Sequence, residues 1–282
     1  MFLFCCLIII SFSGSGISQI KTSSLLNNYD FNPENSTFIK LPKSLKEISG
    51  LALLNDKEIL ANNDEEGVIY TLKVPNYEMA AKLKIGDEKI QKDFEGIAVV
   101  KDTVYMVTSN GVVYKINYST KKQTADFIQY KTSLKIQNDV EGLCYDKNTN
   151  SLLFACKNEP GMGKVKSRAV YSFSLRKMSL ERQPRFVISL KELMQKYGFK
   201  NFAPSGIEKN PVNGNFFVLS SNPPSVIELN PRGKILGATR LSSKTHPQPE
   251  GITFLNDGTM LISDEGQDKS GKITIYKLKG KK

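Results

Sequence analysis

Histidine occurs once in this chain (His246), tryptophan not at all and cysteine only four times. These shortages close off several functions. A single histidine cannot build a multi-histidine zinc site or a multi-histidine acid/base centre, and a chain without tryptophan has no Trp-Asp propeller repeats. Any metal must therefore be held mainly by oxygen. A Ser-His-Asp triad would have to use His246 without a strained Gly-x-Ser-x-Gly turn. That histidine lies in a Pro-rich stretch, His246-Pro247-Gln248-Pro249, and reads as a loop residue. Also missing is any block of Arg and Lys interleaved with aromatics, the pattern single-strand nucleic-acid binders need. The 39 basic and 28 acidic residues give +11, but the basic ones are spread along the chain, as at Lys73, Lys115, Lys277 and Lys279. This reads as a solvated basic surface, open to association with an anionic membrane surface and not to nucleic acid.

With 40% apolar and 24% charged residues, the 282-residue chain is globular and able to bury a core. Residues 2–12 (FLFCCLIIISF) form an apolar run too short to span a bilayer, followed by small residues. That is the pattern of an export signal, with Gly16 and Ser18 at −3 and −1 of a cut before Gln19; an uncleaved amino-terminal anchor is the alternative. Cys5 and Cys6 stand at the front of the run, whereas a lipoprotein cysteine stands behind it. Export would place Cys144 and Cys156 in a disulfide-permissive compartment. They fall on adjacent strands of one predicted hairpin, where a bridge and two free core thiols are both open readings.

A short motif recurs five times: Ile48-Ser49-Gly50-Leu51-Ala52, Phe94-Glu95-Gly96-Ile97-Ala98, Val140-Glu141-Gly142-Leu143-Cys144, Pro204-Ser205-Gly206-Ile207-Glu208 and Pro249-Glu250-Gly251-Ile252-Thr253. The glycines are 46, 46, 64 and 45 residues apart, the period of propeller blades. Each motif is followed by a second apolar strand ending in small polar residues. The distance from motif glycine to Asp64, Asn110, Asn158, Asn222 and Glu265 is 14, 14, 16, 16 and 14. Third and fourth alternating strands follow, except that the last unit lacks a fourth, which residues 37–41 can supply. The expected fold is therefore all-β: a single five-bladed β-propeller of four antiparallel strands per blade over residues 37–279. Residues 1–18 are the export signal or anchor and residues 19–36 a linker. A helix is expected near 190–197, with Ser189 and Glu192 as capping box, Gly198 as terminator, and an apolar stripe of Leu190, Leu193, Met194 and Tyr197 packed on the propeller.

The first strand of each blade lines the channel. The residue before the motif glycine is Ser49, Glu95, Glu141, Ser205 or Glu250, and two positions earlier stand Glu47, Asp93, Asp139, Ala203 and Gln248. Up to six carboxylates (Glu95, Glu141, Glu250, Glu47, Asp93, Asp139) thus face one mouth with no Lys or Arg in either row. Such a cluster is costly without a cation, and hard oxygen donors favour Ca²⁺. A structural use of the glutamates, accepting backbone N–H groups of a neighbouring blade, is the alternative. Asp64, Asn110, Asn158, Asn222, Asp264 and Glu265 should rim the same mouth.

This ordered set of motifs resembles the SdiA-regulated (YjiK-like) family of bacterial envelope proteins over roughly residues 38–279. The resemblance implies a five-bladed propeller with a calcium site. By similarity to SMP-30-type sites it makes Glu95, Glu141 and Glu250 the first candidate ligands. Two functions follow as expectations: recognition of an envelope ligand or partner protein, or Ca²⁺-dependent hydrolysis of a lactone or ester.

Overall fold

The computed structural model describes residues 23–158, 160, 166–267 and 269–280. The expected export signal and the first residues of the expected linker lie outside them. The described chain is a five-bladed β-propeller. In blade 1 the strands are Ile48–Asn55, Glu58–Asn63, Val68–Lys73 and Glu78–Ile85, and in blade 2 Phe94–Val100, Thr103–Thr108, Val113–Asn117 and Phe127–Tyr130. Blade 3 has Val140–Asp146, Ser151–Cys156 and Ser167–Ser174, the last flanked by Ser179–Leu180 and Phe186–Ser189. Blade 4 is Pro204–Lys209, Phe216–Ser221, Pro224–Leu229 and Ile235–Arg240. Blade 5 takes Pro249–Phe254, Met260–Asp264 and Lys272–Tyr276 from one end of the chain and Thr37–Lys40 from the other, with Thr37 opposite Ile275 and Lys40 opposite Lys272. A ring closed this way leaves no long free edge.

Packing explains why the second strands read as continuous apolar runs. Each blade is covered on both faces, so both sets of alternating side chains are buried. The core is accordingly five apolar clusters, one between each pair of adjacent blades. Leu143 turns toward blade 2 and its neighbour Cys144 toward blade 4. The same alternation decides the cysteine question. Cys144 lies opposite Leu153 and Cys156 opposite Val140, and the two thiols sit in different clusters. Both are free and buried, and burial pushes the Cys156 thiol up to about 12.

The helix α1 (Leu190–Tyr197) starts where Ser189 Oγ accepts the Glu192 amide at 3.2 Å and stops at Gly198, whose φ of 72° needs glycine. Leu190 and Leu193 are buried between blades 3 and 4. Met194, expected in the same stripe, is exposed, because an eight-residue helix on a convex surface buries a narrower face. Residues 23–36 are more than a spacer. Ser24 Oγ donates to Glu228 at 2.6 Å, Leu26 and Tyr29 are buried between blades 4 and 5, and Tyr29 OH donates to the Gly258 carbonyl at 2.7 Å.

Candidate functional site

All five motifs carry the same irregularity. The inner strand of each blade has one extra residue against its partner at the motif, as between Phe94 and Gly96 in blade 2 and between Val140 and Gly142 in blade 3. A bulge of this kind leaves a residue out of the ladder and re-aims its side chain. In blades 2 and 3 the bulged residue is Glu95 or Glu141. The glycine that follows has a steric reason. A Cβ on Gly96 would lie 2.6 Å from Leu143 Cβ, and one on Gly142 2.8 Å from the Ile207 amide nitrogen. The inner strands touch backbone to backbone around the ring, so only glycine fits and the side chain before it is directed to the axis.

There the structure brings Glu95, Glu141 and Glu250 together with Ser205 on one narrow cavity of about 10 Å³. Glu141 and Glu250 are buried and Glu95 is half-buried. Burial, then the carboxyls of Glu141 and Asp93, pushes Glu95 up to about 11. Glu141 rises to about 7, burial outweighing the pull of Lys157. Glu250 rises through burial and then through Glu141 and Glu265. Further out, Asp139 is raised by burial, Asp64 to about 6 by burial and then Glu47, and Glu265 to about 7 by burial and then Asp64. Acids of blades 1, 2, 3 and 5 thus share one field. Blade 4 contributes only Ser205, whose hydroxyl donates to the Pro249 carbonyl at 2.7 Å. Asp93 is exposed, and Glu47 pairs with Lys46 at 2.9 Å.

One basic group enters that sequence reasoning missed: Lys157 Nζ stands 2.8 Å from Glu141 Oε1. Five equivalent backbone hydrogen bonds show why. The amides of Asp64, Ser109, Lys157, Ser221 and Glu265 donate to the carbonyls of Glu47, Asp93, Asp139, Ala203 and Gln248. The residues that truly correspond are therefore Asp64, Ser109, Lys157, Ser221 and Glu265. In blades 2, 3 and 4 the expected rim is off by one, and Asn110, Asn158 and Asn222 are exposed one residue further on. The equal spacing of 14 in blades 1 and 2 hides a second bulge, between Leu53 and Asn55, that lengthens the blade 1 hairpin. Glu265 is on the rim and accepts from Gln248.

Asp264 is not on the rim. It is fully buried inside blade 5, where His246 Nδ1 lies 2.8 Å from its Oδ2 and His246 Nε2 lies 2.6 Å from the Tyr276 hydroxyl. His246 is the expected loop residue beside Pro247, but it is fully buried and ties that loop to the strands carrying Asp264 and Tyr276. Among the described residues no three carboxyl, imidazole or thiol groups are already spaced as a metal cage. No helix of the described residues is long and apolar enough to cross a membrane.

A family model described as SdiA-regulated matches residues 45–265. No curated protein matches by sequence. Among solved structures the chain is similar to Myxococcus xanthus glutaminyl cyclase, at 13% identity and a TM-score of 0.56, covering 86% of this chain and 97% of that one. It is also similar to the PQQ-bound aldose sugar dehydrogenase of Streptomyces coelicolor, at 10% identity and a TM-score of 0.52, covering 86% and 98%. At these identities the likeness is one of fold alone.

Proposed function

Since the chain belongs to the SdiA-regulated family, we propose that it is an exported calcium-binding propeller of the cell envelope, whose mouth recognises a ligand or partner protein without carrying out chemistry. The observation that carries this reading is the cavity lined by Glu95, Glu141 and Glu250 and served, among the described residues, by one ammonium, that of Lys157. Among those residues most of the acid there has no protein cation, and without metal it holds protons instead. Calcium accepts six to eight oxygens in irregular geometry, and the donors at this mouth are carboxylates, with no imidazole or thiolate beside them. Lys157, paired with Glu141, would compete with the ion for that carboxylate. Asp93, Asp139, Glu47, Asp64 and Glu265 set the field outside. Export rests on the apolar run at residues 2–12.

The place of His246 removes one route to lactone or ester hydrolysis. A base beside the metal would be needed for hydrolysis at neutral pH; the only histidine is fully buried away from the mouth, so that base would have to be a mouth carboxylate such as Glu265, raised to about 7. The test is thermal melting of the mature protein with calcium, with magnesium and with chelator, beside a lactone and ester panel. Calcium should raise the melting temperature, with no turnover. Melting indifferent to calcium removes the metal from the reading, and calcium-dependent turnover that collapses in Glu250→Gln replaces recognition with hydrolysis.

A further inference from the structure

The inner strands leave the mouth and end at the opposite face of the disc, three to five residues past the motif glycines and about 10–17 Å away at the usual rise of a strand. A cavity of about 160 Å³ opens there, lined in part by Glu208, Lys209, Thr253, Asn256, Tyr145 and Phe254. Two residues after the glycine the other blades carry Ala52, Ala98, Cys144 and Thr253, small side chains that suit the close approach of adjacent blades. Blade 4 alone places a carboxyl at this position.

That carboxyl has no basic partner among the described residues. Glu208 Oε1 accepts only the amide of Lys209, at 2.7 Å. Lys209 lines the cavity too, but its ammonium is committed to Asp146 Oδ1, at 2.5 Å, and lies over the ring of Phe216. Thr253 is 1% exposed and its hydroxyl, which has no hydrogen-bond partner, is enclosed. Asn256 gives one amide N–H to Asp56, and its oxygen is an acceptor. The cavity therefore offers two oxygen-bearing side chains (Glu208, Asn256) and, among the described residues, no uncommitted cation. Tyr145 and Phe254 supply aromatic faces, and Leu53, Val99 and Pro211 an apolar wall. An ammonium group has three donors and no acceptor, and aromatic faces attract it.

The geometry points to a second binding site at this face, one that takes the primary ammonium of a small alkylamine, with Glu208 as counter-ion, Asn256 as a further acceptor, and the apolar wall against the alkyl chain. Burial that pushes Glu208 up to about 8 agrees with a carboxyl that lacks its cation.

The probe is n-butylamine, titrated calorimetrically into the full mature protein at pH 8.5 with chelator present, so that the result does not depend on calcium at the mouth. n-Butanol is the control for the chain without the charge. Saturable binding of n-butylamine but not of n-butanol is expected. Glu208→Gln should weaken it by about tenfold or more, the usual consequence of losing a hydrogen bond to a charged group. Thr253→Val, which keeps the shape and removes only an enclosed hydroxyl, should leave it unchanged. Glu95→Gln at the mouth should leave it unchanged. Absence of n-butylamine binding, equal binding of n-butanol, full binding by Glu208→Gln, or loss in Glu95→Gln would each overturn the site.

Discussion

Blade 5 and the channel mouth both bury acids, and they handle them in opposite ways. Inside blade 5, Asp264 is met by His246, which is met in turn by Tyr276, all from the same blade and all buried. At the mouth, Glu95, Glu141 and Glu250 come from three blades and meet mainly one another, with Lys157 as the one ammonium paired with them among the described residues. A buried polar group that finds its partner within the fold adds specificity to packing, and one that does not is costly unless protonated or ligated. The contrast separates the histidine, which the fold uses, from the glutamates, which await a partner.

The largest effect should come from breaking the His246 network, in which Asp264 Oδ2 has its partner while Oδ1 has none. His246→Ala strands Asp264 without its partner, and removing one member of a buried pair costs about 3–5 kcal/mol. At about 2–4 °C per kcal/mol for a domain of this size, a drop of roughly 10 °C is expected by calorimetry, with the calcium response retained. If the variant melts normally but no longer responds to calcium, the two regions have been assigned the wrong way round.

Next in size is the mouth itself. The double variant Glu95→Gln, Glu141→Gln should lose the calcium stabilisation, worth about 2.7 kcal/mol at a hundredfold excess over Kd, while melting no lower than the parent in chelator. A parent-like calcium shift in the double variant would take both residues off the ligand set.

The pH dependence follows from the raised acids. Glu141 and Glu265 at about 7 and Asp64 at about 6 hold protons more tightly folded than unfolded. Stability is then greatest below their unfolded values, about 4.5 for the glutamates and 3.8 for Asp64, and falls as pH climbs from there to about 7. In chelator the melting temperature should drop by a few degrees between pH 5.5 and 8, and saturating calcium should flatten the drop. Rising stability over that window without metal would contradict the burial of these groups.

The smallest effect is expected at Lys157, whose side chain is 35% exposed. Lys157→Gln should lower the melting temperature in chelator by about 1–3 °C, in keeping with a partly screened ion pair, and tighten calcium binding severalfold. Weaker calcium binding in this variant would mean that the lysine assists the ion instead of competing with it.

The blade count was legible because the glycine of each motif answers to one steric demand, close approach of the next inner strand, that recurs at a fixed period. The carboxylates before three of those glycines were legible for the same reason, since a bulge places them on the axis in every copy. The register of the second strands was not. An extra bulge in the blade 1 hairpin made Asp64 and Asn110 look equivalent, and the one-residue slip hid Lys157 behind Asn158. Pairing between distant strands likewise hid the role of His246, because its partners Asp264 and Tyr276 lie 18 and 30 residues away. Glu208 looked like one more motif residue until the neighbouring blades showed how little room its position allows.

The most direct measurement is proton release on calcium addition. Bound calcium requires ionised carboxylates, so a mouth that keeps its acids protonated must give up protons as the metal enters. In a weakly buffered titration of the mature protein at pH 7, calcium should release at least one proton per ion bound, and Glu95→Gln should reduce that number. Calcium binding with no proton released, or no calcium bound at all, would contradict the account of the mouth as a protonated acid cluster that exchanges its protons for a cation.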